Sequence, residues 1–396
     1  MLRFSTAGES HGEALIALLS GIPAGLAIDF AFLDHELWRR QQGYGRGGRM
    51  RIEKDTARIL SGVRHGKTIG SPITLQIANA DWKNWTEALP VEPGDPAQHK
   101  KVKSPRPGHA DLAGALKYNF PDARYVLERA SARESCARVA GGAVAKLLLR
   151  ALRMDVLSHV VQVGAAALPD DIDISWQQLA ALHAKSEVLL NCADVATEQR
   201  MKAEVDAILR TGDTVGGVFE VVARGCPPGL GTCANWDERL DARLAGAVMS
   251  LQAVKAIEIG RGVRAAASIG STVHDSIGYK ASDAAEGEFT RFTREHNNAG
   301  GIEGGISNGE DIIVRGYLKP ISTLRRPLPS VDFETREQVQ AAYERSDVCV
   351  VPAAGVAAEA MVALTLAQSV LEKFGGDSMT ELERNFKGYK EQLKRF

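Results

Sequence analysis

The stretch Gln42-Gly43-Tyr44-Gly45-Arg46-Gly47-Gly48-Arg49-Met50-Arg51 packs four glycines and three arginines into ten residues. Glycine lets main-chain N–H groups turn toward a ligand and brings the backbone close to it. Arginine offers a planar fork of donors that fits phosphate and carboxylate oxygens. Together they suit a loop that holds a polyanionic small molecule. Arg39, Arg40, Arg64, Lys67, Arg106, Arg129, Arg133 and Arg345 lie near Gly, Pro or Ser as well. Singly, each is an ordinary solvated charge; as a set they fit a substrate with several carboxylates and phosphates.

Two histidines stand in loop-like contexts. His11 lies between Ser10 and Gly12, and His109 follows Pro105-Arg106-Pro107-Gly108. A loop histidine can move a proton near neutral pH; the alternative is a surface or structural role. Asp347 precedes the apolar run Val348–Val351, where it is either a base raised by desolvation or the partner of a nearby arginine. No histidine spacing indicates a metal. These residues reach an enzyme that acts on a polyanionic metabolite by acid–base chemistry, and they do not reach the reaction.

Three familiar motifs are imitated and fail. Gly43-Tyr44-Gly45-Arg46-Gly47-Gly48 fits the dinucleotide fingerprint, but the charged segment Asp34–Arg40 precedes it where an apolar strand is required. Gly8-Glu9-Ser10-His11-Gly12 fits a nucleophile elbow, yet it follows only a very short apolar run. Gly66-Lys67-Thr68 resembles the end of a P-loop, but Ser61 stands where its first glycine belongs. An RNA-binding reading of the Arg/Gly run meets the objection that such segments are long and repeated, whereas this one is short and single.

Positioning such residues requires a substantial scaffold. The chain has 396 residues, with 48 Lys+Arg against 49 Asp+Glu, so any basic surface is local and a nucleic-acid partner is not expected. Five cysteines without a C-x-x-C pair point to a reducing compartment, and we expect a cytoplasmic protein. Glu9, His11 and Glu13 interrupt what would be the apolar core of a signal peptide. Pro352 and Glu359 break the apolar stretch 348–370, which suggests a buried strand and helix rather than a membrane span.

Apolar runs predict strands at Glu13–Leu19, Ile73–Ala78, Val156–Val163, Gly217–Ala223 and Ile312–Leu318. A capping box at Ser131-x-x-Glu134 predicts a helix start, which is also a natural anion site if Ser131 does more than cap. Further helices are expected after Asn235 and over Val356–Phe374, and an exposed loop over Pro90–Pro107. The class is α/β or α+β. Gly66–Gly70 and Leu112–Leu116 are echoed in the same order by Gly212–Gly216 and Leu244–Val248, which leaves an ancient duplication open.

The ordered segments resemble the chorismate synthases along nearly the whole chain. They include Thr6–Gly12, Gly21–Gly25, Arg40–Arg51, Ser61–Thr68, Arg106–Asp111, Glu128–Arg138, Gly212–Gly217, Leu240–Leu244, Gly300–Gly305, Lys319–Thr323 and 345–347. The resemblance implies the last step of the shikimate pathway, in which 5-enolpyruvylshikimate 3-phosphate loses phosphate and a ring proton in a 1,4-elimination. It implies a carbon–oxygen lyase that needs reduced FMN without net oxidation. NADPH would be bound, or used indirectly for flavin reduction. The implied fold is a β-α-β sandwich of antiparallel sheets flanking a helical layer. It would be a single domain with two pseudo-repeated halves, about 1–155 and 156–396. A homotetramer is implied too. No long insertions of the kind found in fungal members that reduce their own flavin are evident, so an external flavin reductase is expected.

Residue roles follow from the same resemblance. His11 would protonate the leaving phosphate, His109 would keep the reduced flavin correctly protonated, and Asp347 would help the flavin take the ring proton. Arg129, Ala130, Ser131, Gln252, Ala253, Gly304, Lys319, Pro320, Ile321, Ser322, Thr323 and Arg345 match flavin-contacting positions. Arg40 and Arg46 match positions associated with NADPH, and Ser10, Arg49 and Arg133 face substrate. Ser135-Cys136 and Ala256 depart from the residues common at those places, away from the expected chemistry.

Overall fold

The structure is a computed structural model that describes residues 1–47, 53–170, 172–282, 288–344 and 347–396. Two antiparallel sheets organise it. The first has strand order Arg3–Ala7, Ala14–Ser20, Ile73–Ala78, Arg58–Ser61. Leu15, Ala17 and Leu19 alternate into the core, as do Ile73, Leu75 and Ile77, and the register sets Ala17 opposite Leu75. The second sheet runs Val254–Ile259, Ile312–Leu318, Gly217–Arg224, Asp155–Val163, Ala166–Ala167. Its central strand Gly217–Arg224 has both neighbours, and six consecutive residues of it are buried. All five expected strands are present, with ends moved by at most one residue.

The helices begin where local competition allows. Ser131 caps only a 3₁₀ turn, Ala132–Glu134, by accepting from Arg133 N at 3.3 Å. The α-helix itself starts at Ser135 and runs to Ala151. Glu134 does not close a capping box; its carboxylate is taken by Thr6, Arg138 and Gln252. The helix expected after Asn235 starts at Leu240, because the Asn235 side chain donates to Glu238 instead of capping. The last apolar stretch is one helix, Val351–Phe374, and its residues 348–350 form no strand. Pro352 opens that helix rather than breaking it, since a first-turn residue needs no N–H. It is long and apolar enough to cross a bilayer, but 83% of its most apolar window is buried inside the protein, as in a core helix.

Ser135–Ala151 packs on strands of the first sheet and on Val351–Phe374, which in turn packs on strands Asp155–Val163 and Gly217–Arg224. Two adjacent glycines permit this approach. A Cβ on Gly141 would come within 2.4 Å of the Phe4 ring, and one on Gly142 within 2.2 Å of Ala360 Cβ. One hydrophobic cluster extends from Leu2 to Phe386. The echoed segments sit in unlike settings: Leu112 and Leu116 are exposed, whereas Leu244 and Val248 are buried. The loop Pro90–Pro107 is exposed only at first. Val102 joins a small cluster with Ala123 and Leu127, and Arg106 is buried.

A compact ionic cluster lies where these helices meet. Arg39 bonds Glu36 at 2.8 Å and both oxygens of Glu359 at 2.7 and 2.8 Å. Lys146 Nζ, 1% exposed, donates to Glu36 at 2.7 Å and to Glu359 at 2.6 Å. Ser158 Oγ donates to Glu359 at 2.6 Å, and His183 Nε2 lies 2.7 Å from Ser158 O. Burial opposes ionisation of Glu36, but Arg39 and Lys146 outweigh it and hold its carboxyl down at about 2. Burial pushes His183 down to about 4, against the pull of Glu359.

Candidate active site

The residue after Arg39 does different work. Arg40 ends the same helix, Phe30–Gln41, and lines a cavity of ≈ 630 Å³. That size lies within the ~300–1,000 Å³ usual for ligand sites. Arg40 Nη2 meets Asp55 at 2.8 Å, and Arg133 Nη1 meets both Asp55 oxygens at 2.7 and 2.8 Å. Asp55 thus holds two guanidinium groups side by side, and their charge overcomes burial to keep its carboxyl below the usual range. Arg133 also bonds Asn79 Oδ1 at 2.9 Å, which fixes its angle. Arg40 Nε is buried and finds no hydrogen-bond acceptor among the described residues. A buried donor at a cavity wall without an acceptor suits an anion arriving from the cavity.

His11 forms one end. It follows the first strand, and its ring Nδ1 lies 2.9 Å from Glu128 Oε1 while its main-chain N donates to Glu128 Oε2 at 2.7 Å. The Trp85 ring stacks on the imidazole at 4.0 Å between centroids. Lys100 Nζ lies over the Trp85 ring at 4.0 Å. Ser10 Oγ donates to Ser131 Oγ at 3.1 Å, so the 3₁₀ turn is tied to the His11 loop.

His109 forms another part of the wall. Its Nδ1 lies 2.5 Å from Asp111 Oδ1. Asp111 opens the helix Asp111–Tyr118 and is fully buried. Arg106 grips Asp111 through its main-chain N, Nε and Nη2 at 3.0, 2.8 and 3.0 Å, and reaches Thr323 Oγ1 at 2.9 Å. Burial opposes the charge of Asp111, yet His109 and Arg106 hold its carboxyl well below the usual range. Lys319 Nζ donates to Gly108 O at 2.6 Å; burial and the charge of Lys255 push its ammonium down from the ordinary value. Ala253 lines the cavity in the left-handed region at φ +69°, a conformation a non-glycine residue adopts at a cost.

The described part of the Gly/Arg loop is anchored rather than loose. Tyr44 Oη donates to Asp206 at 2.6 Å, Val348 N donates to Gly45 O at 2.8 Å, and Gly47 N donates to Asp347 at 2.5 Å. Asp347 also pairs with Arg46 Nε at 3.3 Å, so it has the nearby arginine that the sequence allowed. Burial pushes the Arg46 guanidinium down from its ordinary value, and Asp347 offsets part of that.

A family model described as chorismate synthase matches residues 2–371. The chain belongs to the chorismate synthase family. It is 72% identical to the chorismate synthase of Acidobacterium capsulatum over 396 residues, covering all of both chains. The corresponding protein of Koribacter versatilis is 70% identical, and that of Geobacter sulfurreducens 53%, again over the full length of each. A crystal structure of chorismate synthase, 41% identical, superposes with a TM-score of 0.78 over 100% of this chain and 99% of that one.

Of the positions matched to chorismate synthases, the cavity gathers Ser10, His11, Arg40, Arg46, His109, Ala130, Ser131, Arg133, Gln252, Ala253, Lys319, Ile321, Ser322, Thr323 and Asp347. Pro320 is not among its lining residues. Arg129 turns instead to Gly8 O and Thr6, and Gly304 sits between the short strands Ile302–Glu303 and Ile306–Ser307. Arg49 and Arg345 lie outside the described residues. Sequence reasoning missed Glu128, Asp111, Trp85, Lys100 and Asp55 as parts of the site. Asp111 follows His109 by two residues in a quoted motif, so its pairing had a local signal. Glu128 is 117 residues from His11, and no spacing rule connects them.

Proposed function

We propose that this cavity carries out the chorismate synthase reaction, the 1,4-elimination of phosphate from 5-enolpyruvylshikimate 3-phosphate. The chain's activity is that of a lyase in the shikimate route to aromatic compounds. The observation that carries the site assignment is the charge of the cavity wall. Six lysines and arginines line it; Asp55, Asp111 and Asp347 pair with Arg40, Arg133, Arg106 and Arg46, while Lys100 and Lys319 meet no carboxylate among the described residues and Arg40 Nε has no acceptor there. These uncompensated donors, with His11 and His109 in the same wall, match a substrate with one phosphate and two carboxylates.

The residues divide the work. Arg40, Arg46 and Arg133 hold the anionic groups, with Ser10 and Ser131 orienting them. Arg40 is buried and the Arg46 side chain is only 9% exposed, which favours a substrate phosphate or carboxylate over a bulky nicotinamide group. Arg49 and Arg345 are assigned to substrate and cofactor on the family match alone. His11 passes a proton to a phosphate oxygen as the C–O bond breaks, and Asp347 assists removal of the ring proton. An allylic phosphate leaves readily once its charge is met by arginines and one acid.

A flat ring system fits the apolar part of the wall, where Leu127, Ala130, Leu251, Ala253, Leu318, Val350 and Ala353 line the cavity. Lys319, Ile321, Ser322, Thr323, Gln252 and His109 would hold a reduced FMN there, with Arg129, Gly304 and Pro320 assigned by the family match. When bound, that cofactor supplies electron density to the departing phosphate and recovers it. His109, held by Asp111, would keep the correct proton at the cofactor's polar edge. The side chains of this wall also exclude water, which protects reduced flavin from side reactions.

We read the chain as one domain of two related halves, about 1–155 and 156–396, in a β-α-β sandwich. The main hydrophobic cluster, which spans residues 2–386, and the two sheet-facing helices support the one-domain part of that reading. A cytoplasmic homotetramer supplied by an external, NADPH-dependent flavin reductase completes it. The test is an anaerobic assay with chemically reduced FMN and 5-enolpyruvylshikimate 3-phosphate. Phosphate release with chorismate formation is expected, and no turnover with oxidised FMN. Absence of product with reduced FMN overturns the proposal.

A further inference from the structure

We infer that Glu128 is the positioning residue of His11, and that with Trp85 it locks the imidazole with Nδ1–H turned inward and Nε2 given to the cavity. The inference rests on the reading of His11 as the acid. Three hydrogen bonds hang the Ser10–His11 segment on this one residue. Ser10 N donates to Glu128 O at 2.9 Å, His11 N donates to Oε2 at 2.7 Å, and His11 Nδ1 meets Oε1 at 2.9 Å. A single carboxylate therefore grips both the main chain and the ring of the same histidine. An ionised carboxylate only accepts, so Nδ1 must carry a proton. Acid–base chemistry then falls to Nε2. The Trp85 ring, 4.0 Å away and inclined by 25°, limits rotation of the imidazole about the remaining axis.

The surroundings keep Glu128 ionised. Burial opposes its charge, but the hydrogen bonds and charge of His11, with Arg124, hold its carboxyl below the usual range. The charged groups packed around the pair are Arg124 on the helix of Glu128, at 3.5 Å, and Lys100 and Asp81 about Trp85. Arg124 is itself shared with Glu344 at 2.9 Å and Lys100 O at 2.6 Å, so it neutralises Glu128 only in part. Asp111 beside His109 differs, since it takes three donations from Arg106. The carboxylate behind His11 is thus freer to steady the ring. As Nε2 gives its proton to the phosphate oxygen, imidazolium becomes neutral imidazole, and Nδ1–H stays with Glu128.

The test compares Glu128→Gln and Glu128→Asp with the parent enzyme, and uses His11→Ala to assign the His11 signals. The first readout is the histidine ring nitrogen spectrum of labelled, ligand-free protein, which reports the tautomer without turnover. The parent should show the Nδ1–H form at His11 and Glu128→Gln a mixture of forms. The second is steady-state kinetics with reduced FMN. Glu128→Gln should lower kcat ~10²-fold, with KM changed by less than about threefold. Glu128→Asp should recover part of the rate. An unaltered tautomer signature with a parental kcat in Glu128→Gln overturns the inference, as does loss of kcat with no change in the spectrum. If Glu128→Gln fails to fold, Glu128→Asp and Trp85→Phe are judged by the same readouts. A parental rate in His11→Ala sinks the acid reading alone, because the spectrum still judges the role of Glu128.

Discussion

The ionic cluster around Glu359 and the ionic wall of the cavity are built from the same kinds of side chain and share one helix. They differ in balance. Around Glu359, Arg39 and Lys146 meet Glu36 and Glu359, two cations to two anions, with Ser158 sharing Glu359 Oε1 with Arg39. In the cavity, Asp55, Asp111 and Asp347 pair with Arg40, Arg133, Arg106 and Arg46, but among the described residues Lys100 and Lys319 meet no carboxylate and Arg40 Nε lacks an acceptor. A closed ionic set fixes helices against one another; an open set waits for a ligand's charge. Arg39 and Arg40 are neighbours in the chain, yet the turn of the helix sends one to each set.

This contrast can be broken most sharply at His11. His11→Ala should cut turnover ~10²- to 10⁴-fold, with an unfolding midpoint in urea close to the parent's. A comparable loss of stability would place His11 with the structural set instead. Glu359→Ala should do the opposite, costing ~3–5 kcal/mol in urea unfolding because it strands two buried cations. A loss under about 1 kcal/mol would mean that the cluster relaxes and is not a closed set.

Acid should separate the stages of the closed set. His183 is held down at about 4, so below its ordinary 6.5 the unfolded chain takes up a proton that the folded chain refuses. Its contribution to stability is therefore present above 6.5 and is lost as pH falls to about 4. Glu36 is held at about 2, so its contribution is full above 4.5 and is lost between 4.5 and 2. Urea midpoints measured across this range should fall in both stages, and His183→Gln should abolish the first only. The smallest effect belongs to a single cation of the open set. Lys319→Met should weaken FMN binding about tenfold, the scale of one charge-assisted hydrogen bond, and leave the urea midpoint unchanged.

The strands were legible because alternation at Leu15, Ala17 and Leu19, and the run Val218–Ala223, apolar but for Glu220, report burial directly. Helix starts were less so. At Ser131 and Asn235 the capping side chains had rival partners, and only the folded arrangement decides between them. In the site, His11, His109, Arg40, Arg133 and Asp347 were found because their own neighbours are unusual. Glu128, Asp55 and Trp85 act through contacts distant in sequence, or sit in plain surroundings. A carboxylate that tunes a histidine from 117 residues away leaves no local trace. The loop Pro90–Pro107 was expected to be exposed, but Arg106 is buried because Asp111 compensates it.

The Gly141–Gly142 step sets a machining tolerance. Gly142 seats Ala360 so closely that an added methyl would stand 2.2 Å from its Cβ. Three residues earlier on that same helix, Ala357 is part of the cavity wall. A methyl at residue 142 would act as a shim, lifting the helix and carrying the wall with it. The clearance available to a ligand is thus gauged by a side chain that is missing from a helix on the far side of the partition.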